Sequence, residues 1–377
     1  MKSPETPVRV GGAPNQAPPS RRSRGTIRSI LVSVALLLLA GCHSLDSAPS
    51  LVAPTLEERI AFHRRQAEDH PLHAPARALL GQALLEKARL TLDPETVKES
   101  RRALEQSISI QPSLGAYRSL AALEGFAHRF ERSLEWAQRA HRTEPGEPEL
   151  LSILVEAHLG LGQDEAAMGL LDGAPDPGAF HVLAAWGHLH AGQGRYREAA
   201  AAFHRATETS LAREMSFLRL WARILEAGAY LDGGFPSEAE PILNEAATID
   251  PDNPLLLLHI SELDEAQGEI ERALERCRSI LSTREDPFVE ARTFSLCRRL
   301  GREEEARNHL ERARSSLQRV IDAGEDYTLE AQARLLAQAG VDVDLALALA
   351  LRNLEVKRDR AAYEALEMAR QAAADED

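Results

Sequence analysis

Leu183-Ala-Ala-Trp186-Gly187-His-Leu-His190-Ala-Gly-Gln-Gly194-Arg-Tyr196-Arg-Glu-Ala199-Ala-Ala-Ala-Phe203-His-Arg-Ala206 is the clearest copy of a helix-turn-helix pattern that recurs along the chain. It reads as two helices joined by a tight turn. Gly194 suits the C-terminal end of the first helix, where a positive φ costs glycine little. Gly187 and Ala199 are small where two antiparallel helices cross, because larger side chains would push the backbones apart. Tyr196 and Phe203 fill the space beside the crossing.

Outward from this hairpin, a small residue is followed seven positions later by another at nearly constant intervals. The first members are Ser100, Ser133, Ala167, Ala199, Ala239, Ala273 and Ala306, giving steps of 33, 34, 32, 40, 34 and 33 residues. Their partners are Ser107, Ala140, Ala174, Ala206, Ala246, Ile280 and Ala313, and only Ile280 departs from the small-residue rule. A period near 34 residues returns one close-packed helix face to its neighbour in every copy. Pro112, Pro145 and Pro251 lie five residues beyond the last small position and stop the second helix. The step of 40 predicts a longer connection near Ser210–Met215, and Leu92-Asp93-Pro94 marks an insertion in the first copy. A weaker eighth unit spans about Leu329 to Arg358, and Ala361–Ala373 reads as a capping helix that shields the last apolar face.

The series resembles the tetratricopeptide repeat, whose pattern is a bulky residue, Leu-Gly, an aromatic, then Ala, an aromatic or Leu, Ala and often Pro. The resemblance covers residues 72–373 and implies an all-α solenoid of about eight helix-turn-helix repeats with a C-terminal cap. It also implies a concave surface lined by first helices. Aligned on the small positions, that surface takes Arg118, Phe126, Glu149, Glu156, His181, His188, Trp221, Leu255, Glu262, Phe288, Arg298 and Arg299. Trp221 and Leu255 sit centrally, where they read equally as peptide anchors or as inter-repeat core. The family's clamp for C-terminal carboxylates needs Lys, Asn and Arg; here Ser152, Glu156, Ala184 and His188 stand instead, so no such clamp is expected.

The N-terminus carries an address. Arg21-Arg-Ser-Arg-Gly-Thr-Ile-Arg-Ser29 precedes an apolar run, Ile30–Ala40, too short for a permanent span. Leu39-Ala40-Gly41-Cys42 resembles the bacterial lipoprotein box, in which the cysteine is lipidated and the signal is cut before it. The expected layout is a signal peptide over 1–41, lipidated Cys42 with a Ser-, Ala- and Pro-rich tether over 42–54, and the solenoid over 55–377. Several acyl chains make such an anchor stable. His43 replaces the aspartate that favours inner-membrane retention, so the resemblance implies an outer-membrane protein facing the periplasm.

After removal of residues 1–41 the chain carries 38 basic and 57 acidic groups, a net charge of −19. An acidic surface argues against nucleic acid. Mixed charges such as Arg101, Arg102 and Glu105, or Glu303, Glu304 and Arg307, read as solvated helix faces. No phosphate loop, nucleophile elbow or zinc motif is present, and no ligand set gathers around His181, His188 and His190 at helical spacing. The expectation is no enzyme, no cofactor and no metal. Cys277 and Cys297 fall on neighbouring helices, so a disulfide and two free core thiols both fit the sequence.

Together these features predict a membrane-anchored periplasmic lipoprotein whose solenoid binds protein partners. By resemblance it would be an adaptor or assembly factor for an envelope complex such as a pilus, secretion, outer-membrane assembly or peptidoglycan system. The alternative is a polysaccharide- or solute-binding component of envelope export.

Overall fold

The computed structural model describes residues 54–376. The signal peptide, Cys42 and nearly all of the tether lie outside the described residues. Nineteen helices, and no strands, occur among the described residues. Helix α1 (Leu56–Asp69) opens with a capping box in which Thr55 and Glu58 each bond the other's backbone N–H. Four hairpins follow: α2 (Ala74–Thr91) with α3 (Pro94–Ile110), α4 (Leu114–Phe126) with α5 (Phe130–Thr143), α6 (Pro148–Gly160) with α7 (Asp164–Asp172), and α8 (Phe180–Gly192) with α9 (Tyr196–Thr207). A short α10 (Ser210–Glu214) fills the long connection expected near Ser210–Met215.

Four more hairpins complete the solenoid. They pair α11 (Ser216–Asp232) with α12 (Pro236–Ala247), α13 (Pro254–Ala266) with α14 (Ile270–Leu281), α15 (Pro287–Arg299) with α16 (Glu303–Asp322), and α17 (Leu329–Ala339) with α18 (Val343–Val356). The expected cap is α19 (Arg360–Glu376). Prolines 94, 148, 236, 254 and 287 each sit at the start of a helix, where a missing N–H leaves no bond unmade.

The phased small residues are the crossing points. Ala199, Ala206, Ala239, Ala246, Ala273 and Ala313 are completely buried. Where serine takes the position its hydroxyl also ties the helices together: Ser100 donates to the Gly81 carbonyl at 2.7 Å and Ser133 to that of Ala121 at 2.8 Å. Gly194 adopts φ +73°, as its place at the turn requires. A Cβ on Gly187 would lie 2.5 Å from the Phe203 ring, so the facing residue that forbids a side chain there is Phe203. One copy departs from the pattern: α7 ends at Asp172, before Ala174, because Gly173, Pro175, Pro177 and Gly178 follow at once.

Cys277 and Cys297 are both buried and both free, so of the two readings the separate core thiols hold and the disulfide does not. The Cys277 sulfur is instead 3.4 Å from the Ser261 hydroxyl. Among the described residues no helix is long and apolar enough to cross a membrane.

Replacing Gly187 by Val should destabilise the protein by about 1–3 kcal/mol, because Phe203 must leave its rotamer. Urea unfolding checks this, with Gly192→Ala as a control at a glycine where an added Cβ meets nothing.

Candidate functional site

Residues far apart in sequence meet across the inside of the solenoid. The loop after α16 projects Glu325, 1% exposed, toward the first two hairpins. Its carboxylate receives Arg101 Nη1 at 3.0 Å and lies 3.2 Å from Arg129 Nη2. Arg101 in turn donates through Nε to Glu124, itself fully buried, at 2.9 Å. Two residues on, the Tyr327 ring lies 5.2 Å from that of Phe126, and its hydroxyl donates to the Leu92 carbonyl at 3.0 Å. Arg284 adds a bond to the Leu90 carbonyl at 2.8 Å. Arg101 is therefore a buried strut and not part of a solvated face.

A second clasp lies between α18 and α19. Lys357 Nζ is 2.7 Å from Glu330 and 3.2 Å from Asp359, and Glu330 also accepts from Arg334 Nε at 3.0 Å. Lys357, Glu330 and Arg334 are each only 1% exposed. The Arg358 N–H donates to the Gly160 carbonyl at 2.8 Å. Gly162 permits this approach: its φ is +69°, and a Cβ there would sit 2.6 Å from the Arg358 carbonyl oxygen. Burial alone would push Glu330 up, but Lys357 and Arg334 overcome it and hold the carboxylate ionised.

The residues expected to line the groove fall into separate groups. Arg118, Glu149 and His181 form one: Arg118 pairs with Glu147 and, at 2.6 Å, with Glu149, while His181 Nε2 is 3.8 Å from Glu149. His188 and Trp221 form another, with ring centroids 6.0 Å apart and both residues buried. Trp221 also packs on Phe180, so it belongs to the core and is not an open anchor. Leu255 is half-buried against the same core, Phe288 is buried in it, and Phe126 is covered by Tyr327. Glu156 and Glu262 are buried as well. Only Arg298 and Arg299 are exposed, and both are engaged, with the Gln338 carbonyl and with Glu265. The set is corrected from an open groove to an interior wall.

The wall's charges are tuned by burial. Burial holds the His188 imidazole neutral, with its pKa near 3. It does the same for His128, aided by Lys357 and opposed by Glu330, again near 3. Burial and then Arg118 bring His181 down to about 4. Burial pushes the Glu156 carboxyl up to about 8 against the pull of Arg89 and Lys357.

Two outcomes follow. Glu325→Ala leaves Arg101 with Glu124 alone and takes the buried carboxylate from Arg129, and should cost about 1–3 kcal/mol in urea unfolding. Exposed Glu303→Ala on α16 should stay within about 0.5 kcal/mol. Separately, His128, His181 and His188 each take up a proton on unfolding once the pH is below the ordinary value of 6.5. Their contribution is complete above that value and is lost as pH falls through about 4 for His181 and about 3 for His128 and His188. Glu156 acts oppositely between its ordinary 4.5 and about 8, where the folded state holds the extra proton. Between pH 6 and 5 unfolding should thus take up about two protons net from these groups, and His188→Phe should lower the slope of stability against pH by about one.

No protein-family profile and no curated protein matches this chain. Among solved structures it is similar to a chain of the APC/C hetero-tetramer Cut9–Hcn1, with a TM-score of 0.50 and 14% identity, over 89% of this chain and 62% of that one. It thus spans less than two thirds of that neighbour's length. A tetratricopeptide repeat protein from Parabacteroides merdae aligns at TM-score 0.44 and 16% identity, over 73% of this chain and 98% of that one. Pseudomonas aeruginosa PilF aligns at 0.34 and 15%, over 67% and 92%. Phase-locked hairpins and the Cut9–Hcn1 likeness agree on one architecture: the described residues form a tetratricopeptide-type α-solenoid.

Proposed function

We propose that this protein is a non-enzymatic scaffold that holds a protein partner at the bacterial envelope, anchored through lipid on Cys42. The observation that carries the scaffold reading is the run of eight helix hairpins from α2 to α18, with only the short α10 set between the fourth and fifth. Such a run presents long, rigid, repeated surface to a partner. A solenoid of similar fold is part of a hetero-tetramer in Cut9–Hcn1, which is a precedent for assembly with a second protein. The anchor rests on Leu39-Ala40-Gly41-Cys42 at the end of the apolar run, and the periplasmic face of the outer membrane rests on His43. The acidic balance disfavours nucleic acid as the partner.

Metabolic labelling with a palmitate analogue, followed by membrane fractionation, tests the anchor. The parent should label and sediment with outer membranes, and Cys42→Ala should do neither; an unlabelled parent removes the anchor from the proposal. In-cell crosslinking then tests the scaffold. Reproducible crosslinks from the parent to a defined envelope protein support it, and crosslinks to glycan alone would refute it.

A further inference from the structure

The seventh hairpin gathers three metal-ligating side chains of different chemistry. Cys297 lies in the last turn of α15, and Glu305 and His309 lie one turn apart at the start of α16. The Cys297 sulfur, a Glu305 carboxylate oxygen and a His309 ring nitrogen all lie within 4.8 Å of one another. Thiolate, imidazole and carboxylate are the three donors that zinc takes from proteins, and three protein ligands leave its fourth position for water.

The histidine is already oriented for such a role. His309 is only 7% exposed, and its Nδ1 hydrogen-bonds the Glu290 carboxylate on α15. A carboxylate on Nδ1 favours the proton there, the usual outer arrangement of a zinc-bound imidazole, and turns Nε2 toward the cation, for which it must give up Arg312 Nη2 at 3.4 Å. Nε2 faces Glu305, with 3.9 Å to Oε1. A shallow surface depression lined by Arg302, Glu303, Glu304 and Asn308 reaches Glu305 from solvent.

Guanidinium groups are the competitors. Arg278 holds the Glu305 carboxylate, and Arg302 stands 4.0 Å from it. Arg312 is 3.0 Å from Glu290 and 2.8 Å from His309 Nδ1. Glu305, half-buried, must exchange the exposed Arg278 for the cation, and His309 must exchange Arg312.

We propose that Cys297, Glu305 and His309 bind a zinc-class divalent cation that pins α15 to α16. On binding, the Cys297 S–H bond breaks, its proton passes to solvent, and a metal–sulfur bond forms.

Cobalt(II) titration of the purified protein tests this, because thiolate ligation gives an intense charge-transfer absorption. One equivalent per chain should produce the band, and zinc should abolish it and raise the thermal midpoint. His309→Gln and Cys297→Ser should each remove the band and weaken zinc at least tenfold. Cys277→Ser and Cys42→Ser should keep it. Arg278→Gln, which frees Glu305, should tighten zinc several-fold. A parent without the band, or a band that survives Cys297→Ser, overturns the proposal. Should Cys297→Ser fail to fold by circular dichroism, His309→Gln and Glu305→Gln decide it: zinc affinity unchanged in both overturns it.

Discussion

The carboxylate of Glu325, buried between Arg101 and Arg129, is the interaction on which the form of this solenoid depends. In an ordinary repeat array each unit touches only its neighbours, and the winding of the superhelix is a soft sum of small rotations. Here a loop beyond the seventh hairpin is fastened to the first two, 224 residues earlier in the chain. A buried ion pair gains little over well-packed apolar side chains, but half of one is costly. The consequence is specificity: only a winding that brings Glu325 to both arginines satisfies all three charges.

The neutral His128 and the protonated Glu156 owe their state to burial first, with Lys357 of the second clasp acting on both. His128 is kept neutral by burial, helped by Lys357. Glu156 feels the same Lys357, which reaches it from the other end of the chain. The second clasp therefore bears on the electrostatics of the early repeats through Lys357. Long-range fastening of this kind also raises cooperativity, because the end repeats cannot fray without breaking buried ionic contacts.

The repeats were legible in the sequence because their cause is local. Alanine seven residues from alanine records a helix crossing, Gly194 records a turn, and the step of 40 residues records α10. What the sequence did not disclose was the inside of the superhelix. A charged residue facing a narrow lumen has the same helical phase as one facing water, so Arg101 reads as solvated although it is buried. Trp221 shows the converse: its phase fits a concave wall, yet Phe180 and His188 enclose it. Cys297, Glu305 and His309 were hidden for a related reason. The i, i+4 pair on α16 is visible, but its cysteine comes from the other arm of the hairpin.

These constraints separate two kinds of surface. The interior wall is spoken for: Phe126 is covered by Tyr327, Gly160 and Gly162 are capped by Arg358, and Arg101 is saturated by two carboxylates. The outer faces and hairpin edges carry no such constraint, since their ion pairs are exposed and each contributes little. The closed interior therefore keeps the outer surface in one shape, because its buried ion pairs admit one winding only.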